Sequence, residues 1–352
     1  MKKRLMAVML VCLMVFSLTA CGEKKTDSSG NRSDSQASSQ AEQTDSPETK
    51  NQVVLKIGFS TDESDPRVQS AALFKEQVEE QTQGRIQVEL HANGELGSDA
   101  ELIQGVISST VDMTVSSAGN FASYDHNVGV SAFPFLFSDY EQAWNFIDGK
   151  KQQEIEKELE EHNIKVLAHF DNGFRCVTTS KKAGPVQSVA DMKGLKIRTP
   201  ENQIVMETLS ALGAEPSVLE FTKLYDALKN EEYDAQENPI PVIYNHKLYK
   251  VQENLAITNH SYDAMLFVVR HDLWQELSRE DQLVLQASAI EAQLHNRQLI
   301  QKQTQEYIGK LQKKGMNITY PDLEEFKKAT EKVYDHFSSS YGKELMESLK
   351  NE

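Results

Sequence analysis

Gly194-Leu195-Lys196-Ile197-Arg198-Thr199-Pro200 and, further on, Gln236-Glu237-Asn238-Pro239 frame the stretch on which the fold turns. Leu195 and Ile197 alternate with Lys196 and Arg198, the period of a short strand. Thr199 suits an N-cap and Pro200 the first helical position, which places Arg198 where a strand hands over to a helix. Ligands of open α/β sheets bind at the carboxyl ends of strands, and helix N-termini favour anions. Arg198 is therefore a candidate anion clamp; the alternative is an ordinary surface or salt-bridging arginine.

Upstream, strand and helix patterns alternate. Val53, Leu55, Ile57 and Phe59 give a strand, and a helix starts at Pro66 with Ala71, Leu73, Phe74 and Val78 inward, ending at Gly84. Ile86, Val88 and Leu90 form the next strand, Gly97-Ser98-Asp99-Ala100-Glu101 a capping box, and Val111 to Ser116 a third strand. This pattern predicts an α/β domain with a largely parallel sheet. Phe133-Pro134-Phe135-Leu136-Phe137 reads as a buried loop, followed by an amphipathic helix from Ala143 to Glu161 and a strand from Ile164 to His169. Asp171-Asn172-Gly173 reads as a turn. After it βα units resume in a second lobe, with strands at Arg175 to Ser180 and Tyr233 to Gln236.

Ser278 caps a helix that meets no glycine until Gly309 and stops at Gly315. At 1.5 Å per residue it would run on the order of 50 Å, longer than a small domain, and so serve as a spine beneath two lobes. Two further helices follow, one opening at Pro321-Asp322.

The N-terminal region carries its own message. Lys2, Lys3 and Arg4 precede an apolar run from Leu5 to Leu18, a signal peptide, and Leu18-Thr19-Ala20-Cys21-Gly22 matches a lipoprotein box with Cys21 as the lipidated residue. Residues 21–51 are polar throughout and predict a disordered tether. Once Cys12 is cleaved off and Cys21 lipidated, Cys176 stands alone, so no intrachain disulfide and no cysteine metal site is available. Removing Lys2, Lys3 and Arg4 takes the formal net charge from -16 to -19, which argues against nucleic acid as a partner. The expected location is extracytoplasmic, at the membrane face, through a lipid anchor.

Catalytic and cofactor signatures are absent: no phosphate loop, no G-x-G-x-x-G, no G-x-S-x-G, no H-E-x-x-H. The histidines are scattered, and the acidic residues read as solvated helix faces. A binding protein without cofactor or metal is the expectation, and an enzyme is the weaker alternative.

Asn172-Gly173-Phe174-Arg175, Asp191 to Pro200, Ala211-Leu212-Gly213-Ala214, Leu224-Tyr225-Asp226-Ala227-Leu228, Asp234 to Pro239, Lys247 to Gln252 and Thr258-Asn259-His260 stand in the order found in one family. Together they resemble the substrate-binding proteins of TRAP (tripartite ATP-independent periplasmic) transporters, DctP type. The resemblance covers the chain from about Val53 to the last helices. It implies a two-lobed periplasmic-binding-protein-like α/β fold with a ligand cleft between lobes and a long helix spanning both. The lobes would be 52–172 with 264–300, and 173–263 with 301–352, after a signal peptide at 1–20. It also implies a monomer that binds a carboxylated solute, a C4-dicarboxylate or a sugar acid such as a uronate, and delivers it to small and large integral membrane subunits. Arg198 matches the arginine that pairs with the substrate carboxylate, Arg175 a second ligand-holding arginine, Asn238 an asparagine donating to the same carboxylate, and Phe221 an aromatic against the ligand. Ser60, Asp99 and Ser117 match first-lobe positions facing the cleft. Ser117 stands where sialic-acid-binding members have glutamate, and Ala235 where glycine is usual. A sensor lipoprotein of the same fold is the other alternative.

Overall fold

The computed structural model describes residues 52–341 together with 345 and 346. The signal peptide, Cys21, the tether and most of the last expected helix lie outside the described residues.

Ten strands are found among the described residues: β1 (Val53–Gly58), β2 (Ile86–His91), β3 (Met113–Ser117), β4 (Ile164–Thr179), β5 (Lys196–Thr199), β6 (Glu215–Val218), β7 (Ala235–Pro239), β8 (Asn254–Ala256), β9 (Tyr262–Arg270) and β10 (Asn317–Thr319). They run in the order β2-β1-β3-β9-β4-β7-β5-β6, with β8 bridging β4 and β10. The expected parallel pairing holds at both ends, in β2-β1-β3 and β7-β5-β6. The centre differs: β9 is antiparallel to β3 and β4, and β4 is antiparallel to β7. Two sheet halves are thus joined through β4 and β9, the arrangement of a two-lobed periplasmic binding protein.

The sequence divides β4 in two at Asp171-Asn172-Gly173; the structure makes it one strand of 16 residues. The turn-like residues form a bulge instead, with register shifts between Val166 and Ala168 and between Asp171 and Gly173. Gly173 takes φ +109°, open to glycine at no steric cost. A bulge disturbs the ladder, and here distant side chains supply partners. The backbone N–H of His169 donates to Gln293 Oε1 (2.7 Å), and that of Asp171 donates to Asn296 Oδ1 (2.6 Å). Gln286 Nε2 donates to the Leu167 carbonyl at 2.6 Å.

All three belong to the long helix, Arg279–Lys313, unbroken over 35 residues and capped by Ser278. Leu285, Ala289 and Ala292 pack into the core with β1, β3 and the helix Pro66–Gln81, while Leu311 packs with Leu224, Ile243 and Leu255 of the other half. Arg297, in between, grips Asp148 through two hydrogen bonds of 2.7 and 2.9 Å.

The expected helix from Ala143 to Glu161 is two helices, Tyr140–Ile147 and Lys150–Lys157, followed by a 3₁₀ turn, Glu158–His162. Gly149 breaks it by taking an extended conformation at the second N-cap, as expected of the residue least suited to a helix interior. The Phe133 loop is buried as expected, its ring against Tyr334, Phe337 and Tyr341.

Four buried groups here and beside the cleft shape the pH response. His169 lies 2.9 Å from Glu156 and 3.2 Å from Asp148. Burial opposes its charge, but these carboxylates prevail and raise it to about 9. Burial likewise opposes the charge of Glu237 and Asp65, which the cations of Arg175 and Arg67 respectively overcome, leaving both at about 2. Asp171 is pushed up to about 6 by burial, against Arg297. The depressed carboxylates contribute stability that is present above about pH 4.5 and lost as pH falls toward 2. Asp171 contributes in the other sense, losing its share between about pH 4 and 6. The raised histidine contributes fully below about 6.5 and is lost as pH rises through 9. Denaturant melts across pH are expected to show greatest stability near about pH 4.5, a decline toward pH 6 as Asp171 ionises, and a further alkaline decline that His169→Gln flattens. An unchanged alkaline limb in that variant would contradict the assignment.

Candidate functional site

β5 ends at Thr199, but the following helix starts only at Gln203, with Asn202 as its cap accepting from Val205 N at 3.1 Å. Thr199 and Pro200 therefore do not cap and open this helix as their sequence suggests. Asn is as good a cap as Thr or better, and the Thr199 hydroxyl turns to the Pro200 carbonyl at 3.2 Å. Pro200 and Glu201 instead form part of the wall of a cleft of about 380 Å³.

Arg198 lies at the heart of that cleft, 2 % exposed. Its Nε donates to the Leu219 carbonyl at 2.7 Å, which fixes the plane of the guanidinium. Among the described residues no carboxylate lies within salt-bridge distance of it, and neither terminal nitrogen has a hydrogen-bond partner. Burial, reinforced by the like charge of Arg175 and opposed by Glu237 and Asp99, pulls it down to about 10. An arginine buried, oriented and without a carboxylate partner among the described residues is poised for a ligand anion.

Arg175 also lines the cleft, but its charge is already met. Nε and Nη2 form a two-pronged pair with the Glu237 carboxylate, and Nη1 pairs with Asp263. Nη2 also donates to the Glu237 carbonyl at 2.8 Å and to Asn238 Oδ1 at 3.3 Å. Asp263 is further held by Asn172 (2.8 Å) and Ser117 (2.6 Å), and His260 Nε2 lies 3.4 Å from Glu237. The carboxylates beside Arg175 therefore neutralise it in place, and of these two arginines only Arg198 lacks a carboxylate partner among the described residues.

The other expected residues divide. Asn238 lines the cleft with Nδ2 donating to Gln236 Oε1 at 2.6 Å, one of two protons on that nitrogen. Phe221, the first residue of helix Phe221–Lys229, lines the cleft and packs edge-on against His246, with ring centres 4.9 Å apart. Asp99 lines the cleft at the start of helix Asp99–Ile107, accepting from the hydroxyls of Ser60 (2.9 Å) and Ser116 (3.0 Å). Ser117 lines it with its hydroxyl turned to Asp263. Ser60 does not line it and instead borders a neighbouring groove, holding Asp99 from behind. The turn Asn230-Glu231-Glu232 before β7 places Glu231 at φ +58°, where glycine would be easier.

The sequence reading missed Arg67, which lines the same cleft at 6 % exposure. It is the second residue of helix Pro66–Gln81, where the helix dipole disfavours a cation. That misplaced charge was a legible signal.

The chain as a whole is similar to known proteins. The chain is 34 % identical over 264 residues, 75 % of its length and 80 % of the relative's, to the 2,3-diketo-L-gulonate-binding periplasmic protein of Escherichia coli. It is 29 % identical over 296 residues, 84 % of its length and 91 % of the relative's, to the sialic acid-binding periplasmic protein of Vibrio cholerae. 

Among solved structures, the TRAP periplasmic solute-binding protein of Polaromonas sp. JS666, bound to D-erythronate, superposes with a TM-score of 0.82 at 32 % identity, covering 85 % of this chain and 98 % of that one. These relatives are binding proteins rather than enzymes. The family model for bacterial extracellular solute-binding protein, family 7 (DctP), matches residues 57–340. With that match over most of its length, the chain belongs to the DctP family of extracytoplasmic TRAP solute receptors.

Proposed function

We propose that this receptor takes up a sugar acid or C4-dicarboxylate by its carboxylate, with Arg198 as the clamp. The observation that carries the reading is the buried guanidinium of Arg198, which lacks a carboxylate partner among the described residues. Asn238, with one amide proton uncommitted, stands beside it as a second donor; Arg175 holds Asn238 in place through its 3.3 Å hydrogen bond. Phe221 supplies an apolar wall, and Ser117 and Ser60 set Asp263 and Asp99. The names of the relatives support the solute class: a diketogulonate, a sialic acid and an erythronate are all sugar-derived acids.

Closure of the lobes, 52–172 with 264–300 against 173–263 with 301–352, bends the crossing strands β4 and β9. Closing on an empty cleft buries one uncompensated charge, that of Arg198, and a carboxylate removes this penalty. The closed receptor then docks on small and large integral membrane subunits, held near them by lipid on Cys21 and the tether 21–51. No helix of the described residues is long and apolar enough to cross a membrane.

A thermal-shift screen of aldonates, uronates and C4-dicarboxylates against the chain from Cys21 onward tests the reading. At least one acid is expected to raise the melting temperature, since a ligand at 100 times its Kd adds about 2.7 kcal/mol. Equal shifts from the corresponding uncharged polyols would sink it.

A further inference from the structure

We propose that Arg67 is a second ligand-anchoring residue, and that with Asp99 it selects a polyhydroxy monocarboxylic acid over a dicarboxylate. This rests on the reading of Arg198 as the carboxylate clamp and adds what the rest of the cleft recognises.

Arg67 is held rigidly. Asp65 Oδ1 accepts from both its Nε and its backbone N–H, each at 2.9 Å. The other oxygen, Asp65 Oδ2, lies 3.3 Å from His246 Nε2, a residue of the opposite sheet half. Among the described residues neither terminal nitrogen of Arg67 has a hydrogen-bond partner, although the side chain is more than nine-tenths buried and lines the cleft. Its donors therefore face the space where a ligand would sit. Arg67 comes from the half containing β1, and Arg198 from the half containing β5. A solute held by both would bridge the two.

Charge separates their roles. Arg198 has no carboxylate partner among the described residues and calls for an anion. Arg67 is already neutralised by Asp65, so it offers hydrogen-bond donors without demanding a second negative charge. Nearby Asp99 accepts only from two serine hydroxyls and has no cation within salt-bridge distance among the described residues. A ligand carboxylate placed against it would be repelled. A hydroxyl group both donates and accepts, and so fits between the Arg67 donors and the Asp99 acceptor. Asn120 adds an uncommitted side-chain oxygen on the same wall, its Nδ2 being engaged with Ser116 at 2.8 Å. One anion site and one donor–acceptor pair describe a sugar acid. Sites built to hydrogen-bond hydroxyls discriminate strongly against analogues that lack them, because buried polar groups are then left unpaired.

Calorimetric titration of the chain from Cys21 onward with D-galactonate, D-glucuronate and succinate tests this, using wild type, Arg67→Gln, Arg67→Lys and Arg198→Gln. Wild type is expected to bind at least one sugar acid ten times or more tighter than succinate. Arg67→Gln should weaken that sugar acid 10- to 100-fold, and by at least tenfold more than it weakens succinate, with Arg67→Lys in between. Succinate binding as tightly as both sugar acids would overturn the proposal while leaving the Arg198 clamp standing. So would an Arg67→Gln variant, folded by circular dichroism, whose sugar-acid affinity stays within threefold of wild type. If Arg67 variants fail to fold, the wild-type preference decides alone. If no acid binds wild type, the proposal falls together with the receptor reading beneath it.

Discussion

Arg198→Gln is expected to lower affinity for the solute by roughly 30- to several-thousand-fold, while barely changing the stability of the ligand-free protein. Losing one partner of a buried, hydrogen-bonded charge pair costs about 2–5 kcal/mol of binding, which converts to that range of Kd. Stability behaves differently because Arg198 is buried without a carboxylate partner among the described residues, and burial of an uncompensated charge opposes folding, the same cause that pulls its pKa down. Removing the charge relieves that penalty and loses one hydrogen bond to Leu219, so the two effects oppose each other. The net change in unfolding free energy should fall within about 1 kcal/mol. Thermal melts with and without solute separate the outcomes: the unliganded melting point holds, and the ligand-induced rise disappears. A variant that melts much earlier yet still responds to solute would make Arg198 a structural residue.

Arg175→Met should cost stability where Arg198→Gln does not. It lies in the same cleft, yet removing it leaves the fully buried Glu237 and the nearly buried Asp263 without their cation. Breaking a buried pair in this way costs about 3–5 kcal/mol. Denaturant unfolding should show that loss, and the double variant Arg175→Met, Glu237→Gln should recover part of it, because the stranded charge is gone. Arg175→Met as stable as wild type would mean that the pairing with Glu237 and Asp263 contributes little.

The different fates of these two arginines explain how far the sequence could be read. Alternation around Arg198 places it on a strand whatever its neighbours do, and the ordered motifs from Asn172 to His260 mark the family. What a side chain touches is another matter. The partners of Arg175 lie 62 and 88 residues further along, and Ser117 turns to an aspartate 146 residues away. No local pattern encodes such pairings. Asp171-Asn172-Gly173 shows the same limit in the backbone. Its composition suits a turn or a bulge equally, and the N–H of Asp171 finds its acceptor on Asn296, 125 residues later. Helix boundaries were lost for a smaller reason: a single glycine at 149 and a better cap at Asn202 moved two of them.

The centre of the sheet has a consequence for how the chain is made. β3, near residue 115, pairs along one edge with β9, near residue 267, and β4 waits for the same strand. Until Tyr262–Arg270 has emerged, the N-terminal half presents an open edge and cannot close its sheet. Such long-range pairing makes folding slow, because distant segments must meet before either is rewarded. A chain whose sheet closes only when its last third appears remains pliant for longer, which suits a member of an extracytoplasmic receptor family.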